Sequence, residues 1–250
     1  MRARSNRAFT RLELLMIVAS AGLLSVFAVS VAGSAVWHNN LILCANNLRQ
    51  VGRGFNIWAS DHQGENPWWV PYTEGGSLIP PNQPTPALIN VPGLGPAPAL
   101  LRQNAWVQFA FISQELRIAG ALVCPADRGK LRAQNFLGTN GYFSAGFQDR
   151  ATSYIIGLHA FRLYPNSILS GDRTIKESGG NVGCSANIRS TFWVPRSSPS
   201  GWQPGLHPSG GNLLLNDGHV EGLSEPGLAG FLSLTATSEL DPRSEHILKP

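Results

Sequence analysis

The sequence predicts an α+β protein in which a long N-terminal helix packs on a small antiparallel-sheet head with long Pro/Gly-rich loops. Three observations predict it. Residues 14–36, LLMIVASAGLLSVFAVSVAGSAV, carry no charge and no proline. An amphipathic stripe follows, in which Leu41, Cys44, Leu48, Val51, Phe55 and Trp58 recur at helical spacing. Beyond residue 150 come short segments of strand character, the last of them a hairpin pattern.

The chain has 250 residues, of which 43% are hydrophobic and only 14% charged, so one sizeable core and few charged faces are expected. With 27 Gly and 18 Pro, much of the head must be loop. The formal net charge of +4 does not point to nucleic acid. Arg2, Arg4 and Arg7 lie together at the N-terminus, and removing them from the 19 basic residues leaves 16 against 15 acidic. No basic stripe suited to phosphates remains.

The apolar run of 23 residues is long enough, as a helix rising about 1.5 Å per residue, to span a hydrocarbon core of roughly 30 Å. Arginines precede it and none follows before Arg49, which predicts a cytoplasmic N-terminus and a periplasmic head. A cleaved signal peptide fits less well, because the run is long and no A-x-A site closes it. The expected organisation is a leader at 1–8, a transmembrane helix at 9–36, the outer half of the helix at 37–62 and a globular head at 63–250. Gly64 and Pro67 end the helix, and Gly52 and Gly54 weaken it locally.

Residues 64–99 read as an irregular loop carrying Trp68, Trp69 and Tyr72, which either cover the core or offer a sugar-binding surface. A helix is expected over 101–118. Strands are expected at 152–157, 167–171 and 191–194. A hairpin is expected from 212–216 and 219–223, with Asp217-Gly218 as a type I′ turn.

The string from Arg7 through Ala8, Phe9 and Glu13 into the apolar run resembles the prepilin peptidase signal. That resemblance implies cleavage between Ala8 and Phe9, methylation of the new Phe9 amine, and a role for Glu13 in neutralising the amine of a neighbouring subunit. Ala8 stands where the family usually has Gly, Arg11 where it has an apolar residue, and Ser30 where it often has proline. The segments Cys44–Gly52 (CANNLRQVG), Val123–Asp127 (VCPAD) and Ser170–Arg173 (SGDR) are similar to a large pseudopilin-like family. His207, followed after nine residues by Asp217-Gly218, resembles the H-x9-DG signature of prepilin-type processing-associated proteins. The resemblance implies a pilin-like fold and a structural subunit of a type IV pilus-like or type II secretion pseudopilus filament. It implies as partners other pilin or pseudopilin subunits, a prepilin peptidase, a secretion assembly platform and membrane lipid. The expected location is the inner membrane and then an envelope filament.

No catalytic spacing is present: no G-x-S-x-G, phosphate-binding Gly loop, H-E-x-x-H or C-x-x-C occurs. An enzyme, a cofactor and a nucleic-acid partner are not expected. His207, Asp217 and His219 invite a metal reading, but three or four convergent ligands are needed. The expected role of His207 and Asp217 is instead a latch that fixes the hairpin, with Gly218 supplying the turn. Asp127, Asp172 and Asp217 are weak calcium candidates, since they form no compact acidic loop. Cys44 on the buried stripe and Cys124 before Pro125 are the disulfide candidates, which leaves Cys184 over; three separate buried thiols are the alternative. The competing functional reading is a single-pass envelope protein whose head binds a ligand or carbohydrate and forms no filament. Glu13 separates the two, because a solitary anchor has no evident use for it.

Overall fold

The computed structural model describes residues 10–182, 191–195, 201–208, 210–234 and 244–250, and for 27–37, 178–182, 193, 195, 234, 244 and 245 the backbone alone. Helix α1, Arg11–Ser60, runs through two compact units. One ends at Asn39 and the other comprises Asn40–Pro250.

The first unit begins with a reciprocal cap. Thr10 is the N-cap, since its carbonyl accepts the first helical bond from Leu14 at 3.1 Å. Its hydroxyl accepts the Glu13 N–H at 3.3 Å, and the Glu13 carboxylate accepts the Thr10 N–H at 2.8 Å. This is the capping box of the pattern T-x-x-E, legible in Thr10-Arg11-Leu12-Glu13. Glu13 therefore has a local use in any helix starting here, and its presence does not discriminate a filament subunit from a solitary helix.

Among the described residues, no helix is long and apolar enough to cross a membrane. This corrects the expected transmembrane helix at 9–36 and the single-pass inner-membrane placement, cytoplasmic N-terminus and periplasmic head derived from it. The apolar run with described side chains is Leu14–Val26, which at thirteen residues is about 20 Å of helix, short of the roughly 30 Å needed. The rest of the expected run lies where side chains are not described, and the leader at 1–8 and the Ala8–Phe9 junction lie outside the described residues.

The second unit is α+β. Its elements after α1 are a hairpin of β1 (Leu88–Val91) and β2 (Gly95–Pro98), then α2 (Ala105–Phe111) and α3 (Ser113–Leu116). Strands β3 (Tyr154–Gly157), β4 (Ile168–Asp172), β5 (Ser178–Val182), β6 (Thr191–Pro195), β7 (Gly210–Leu215) and β8 (Val220–Ser224) follow. Helix α4 (Glu225–Leu234) and β9 (Ser244–Leu248) complete it. Seven strands form one sheet in the order β5-β6-β9-β3-β4-β7-β8, and every neighbouring pair is antiparallel.

Strand alternation gives this sheet two buried faces. Tyr154 and Ile156 of β3 and Leu214 of β7 join the core formed with α1 and α2. Ile155, Leu213 and Leu215 point the other way, into a second core with Leu228 and Leu232 of α4. The α1 stripe from Cys44 through Leu48, Val51, Phe55 and Trp58 lies in the first core. Gly52 does more there than weaken a helix: a Cβ on it would stand 2.8 Å from Leu214 Cδ1, so the glycine sets how closely α1 approaches β7.

Three local expectations change. The helix expected over 101–118 is broken into α2 and α3 at Ile112, whose backbone leaves the helical region at φ −97 and ψ 14. The loop over 64–99 contains the β1–β2 hairpin, obscured in the sequence by Pro92, Pro96 and Pro98. The β7–β8 turn is not type I′. Of Asp217 and Gly218 only the glycine has positive φ, at +90. Gly218 N–H donates to Leu215 O at 2.9 Å, and Leu215 N–H donates to His219 O at 2.8 Å. The loop is therefore the three residues Asn216–Gly218, closed by a left-handed glycine.

A side chain at Gly218 would be strained by that φ and would meet Asn56 Nδ2 at 2.9 Å. Gly218→Ala is expected to lower stability by about 1–3 kcal/mol, measured by chemical denaturation. An unchanged midpoint would show that the hairpin tolerates another turn.

Candidate functional site

The four sequence segments singled out above meet at one buried place in the second unit. Cys44 comes from α1, Cys124 from the loop before Pro125, Asp172 from the end of β4 and His207 from the loop before β7. Cys44 and Cys124 form a disulfide with a Cα–Cα distance of 5.0 Å. Both sulfur-bearing residues are fully buried. Asn47, one turn along α1, reinforces the link by donating to Val123 O at 3.1 Å.

His207 Nε2 lies 3.6 Å from Cys124 Sγ and 3.4 Å from Asp172 Oδ2. Asp172 Oδ2 also accepts the Asn212 N–H from β7 at 2.7 Å. The Asn212 side chain in turn donates to Leu41 O of α1 at 3.3 Å. A chain of polar contacts thus runs from the sheet to α1. Two polar atoms of the cluster, Asp172 Oδ1 and His207 Nδ1, are buried without a hydrogen-bond partner, a rare arrangement in folded proteins.

Beside this cluster, Asp127 and Arg173 form a bidentate pair, with Nε to Oδ2 at 2.7 Å and Nη2 to Oδ1 at 3.0 Å. The pair ties the VCPAD segment to the residue after β4. Burial acts to raise the Asp127 pKa, but the Arg173 fork and the further hydrogen bonds at the carboxyl, among them the Gly129 N–H, together outweigh it and hold the carboxyl below its ordinary value. Hydrogen bonding to Asp127 raises Arg173 correspondingly.

Asp172 behaves in the opposite way. Burial pushes its pKa up to about 7, against the Asn212 hydrogen bonds that act to lower it. Burial likewise lowers His207. The 3.4 Å contact suggests an ion pair, yet both shifts favour the neutral forms. Loss of water governs here, since each group is enclosed and neither has a full set of hydrogen bonds.

The other expected residues fall elsewhere. Asp217 Oδ1 accepts the His219 N–H at 2.8 Å within its own turn, and no hydrogen bond joins it to His207. His207 is latched to Asp172 and Cys124 instead. His219 is exposed and faces Glu221 at 3.2 Å. Among the described residues, the potential metal ligands that draw together are Cys44, Cys124, Asp172 and His207, with their ligand atoms within 4.8 Å of one another. Asp127 and Asp217 are outside that group, so the three aspartates do not form the calcium set considered from sequence. Trp68 is fully buried, edge-on to Phe55 at 5.7 Å, which takes it out of any surface for sugar, whereas half-buried Trp69 packs on Phe161 at 5.4 Å and lines a cleft of about 240 Å³ with His62 and Glu74. Cys184 lies outside the described residues. His207 also borders a cleft of about 460 Å³ shared with Trp202, Gln203, Leu206 and Glu225.

No protein-family profile, curated protein or solved structure matches the chain. What the fold and site define is a disulfide-tied, two-core α+β unit that includes the second half of α1.

Removing the disulfide by Cys124→Ala is expected to cost about 2–5 kcal/mol of head stability, read from denaturation midpoints. Peptide mapping without reductant should recover Cys44 and Cys124 in one linked species. The raised Asp172 pKa has a definite sign. Its folded form binds a proton more tightly than its unfolded form, so its contribution is full below about pH 4 and is lost as pH rises to about 7. The oxidised protein should lose stability over that window more than Asp172→Asn does. Parallel pH profiles for the two would refute a buried, proton-holding carboxyl.

Proposed function

We propose that the protein is a structural subunit that assembles with copies of itself through its N-terminal helix, as pilin-like and pseudopilin filament subunits do. One observation carries this reading. Nine large apolar residues between Leu12 and Val26 are each 51 to 70% exposed. They include the consecutive run Leu14-Leu15-Met16-Ile17-Val18, which points to every side of the helix. An apolar surface of this kind marks an interaction site. A globular partner would cover one side of it, whereas a bundle of the same helices covers all sides. Ala19, Ser20, Ala21 and Gly22 are small enough to let such helices approach closely.

Glu13 fits this reading without being explained by it. Its carboxylate is fully exposed, and acceptance of the Thr10 N–H and O–H lowers its pKa, so it stays charged beside the helix start. A carboxylate held there is placed to pair with the amine of a neighbouring copy. The prepilin-like string implies that this amine belongs to Phe9 after cleavage from Ala8. The head contributes a rigid unit, and its cluster of buried polar and sulfur groups joins it to α1 by Cys44–Cys124 and Asn212–Leu41. A prepilin peptidase and a secretion assembly platform are the partners this reading calls for.

Sedimentation and negative-stain microscopy of the full chain test the proposal. The wild type should form elongated assemblies, and Ile17→Glu or Leu24→Glu should dissolve them while leaving the melting temperature of the head unchanged. A monomeric wild type at high concentration would overturn it. Mass spectrometry of the protein from its native host should find a methylated N-terminus at Phe9, and Met1 retained in the presence of the peptidase would remove the processing part.

A further inference from the structure

We propose that the Cys44–Cys124 position is a redox-gated zinc site: once a dithiol or phosphine reductant opens the disulfide, the two thiolates, His207 Nε2 and the Asp172 carboxylate bind one zinc ion. The donor set is the first reason. Two sulfurs, one imidazole nitrogen and one carboxylate oxygen are the ligand types zinc takes, and four of them close a tetrahedral site. The spacing is the second. Zinc bonds of about 2.0–2.3 Å place tetrahedral donors roughly 3.3–3.8 Å apart. His207 Nε2 stands 3.4 Å from Asp172 Oδ2 and 3.6 Å from Cys124 Sγ, and all four ligand atoms lie within 4.8 Å of one another.

Burial is the third reason. All four residues are enclosed, which suits a closed structural site with no position left for substrate. Asp172 Oδ1 is buried without a partner, so the carboxyl keeps an acceptor unused in the disulfide form. The Asn212 N–H holds Asp172 Oδ2 from behind at 2.7 Å, as an outer partner orients a metal ligand. Of the four residues, His207 lines the cleft near Trp202 and Leu206, the side from which reductant and ion would enter.

The chemistry balances. The disulfide accepts two electrons and two protons from a dithiol, which is itself oxidised to a disulfide, or from a phosphine and one water, which leave as the phosphine oxide. Zinc then displaces the two thiol protons and any proton held by the Asp172 carboxyl, all of which leave to solvent, and is bound by two thiolates, neutral imidazole and carboxylate. The two states are mutually exclusive, because each uses both sulfurs. They also tie together the same segments, α1, the loop before Pro125 and, through the metal alone, β4 and the loop before β7. A reduced head would thus keep its link to α1 by exchanging a covalent bond for a metal. The site lies wholly in the second unit and does not depend on the assembly reading.

The test uses the full chain in mild detergent, reduced with a phosphine and titrated with Co²⁺ as the probe. The reduced protein should develop the visible bands of tetrahedral cobalt and a thiolate charge-transfer band, saturating at one equivalent and abolished by Zn²⁺. The oxidised protein should develop neither. His207→Gln and Asp172→Asn should each weaken Co²⁺ binding by at least about tenfold, with circular dichroism checking that the variants are folded. A reduced, folded protein without these bands, or affinities unchanged in the folded variants, overturns the proposal. Should reduction unfold the head, Zn²⁺ must restore its melting transition, and failure to do so overturns it equally.

Discussion

The Cys44–Cys124 bond joins residues 80 apart in sequence, and the order of the head depends on it. It fastens the head half of α1 to the loop that leads into Pro125. From that loop Asp127 reaches Arg173 after β4, and Asp172 at the end of β4 reaches His207 and the β7 backbone. Helix, loop and two central strands are thereby referred to one buried point. The long-range closure limits the unfolded chain, and the polar contacts around it select one register for the strands they touch.

That point is electrostatically uneasy. Arg173 compensates Asp127 and keeps it charged. Among the described residues no cation serves Asp172 in the same way, and burial drives it and His207 toward neutrality. A core built for stability alone would place apolar groups there. The cluster instead gathers two sulfurs, an imidazole and a carboxyl, a combination with more chemistry than a structural tie requires.

The N-terminal unit rests on a different balance. Its helix is started by the reciprocal Thr10–Glu13 cap, yet its described apolar side chains are exposed. Local bonding explains why a helix begins there, and it does not supply the burial that such a surface calls for. The same glutamate that precedes the apolar run therefore serves the helix first, and any intermolecular role is added to that one.

Much of the local structure was legible in the sequence because it depends on neighbours in the chain. The stripe from Cys44 to Trp58 follows from helical periodicity, and β3, β4, β6, β7 and β8 follow from short β-rich runs between turn residues. The capping box lies in the local pattern Thr10-Arg11-Leu12-Glu13 as well, yet from sequence Glu13 was assigned an intermolecular role alone. Strand β9 was harder to read, since its central place between β6 and β3 comes from pairing across the chain. The β1–β2 hairpin was hidden by prolines that sheet edges tolerate. The sequence by itself determined which segments carry unusual residues: the two cysteines, the Asp-Arg pair at the end of β4, and His207 ahead of the last hairpin. Only the tertiary structure decided that His207 meets Asp172 and not Asp217. That contact spans 35 positions and is made through the order of strands β3, β4 and β7, which no local pattern encodes.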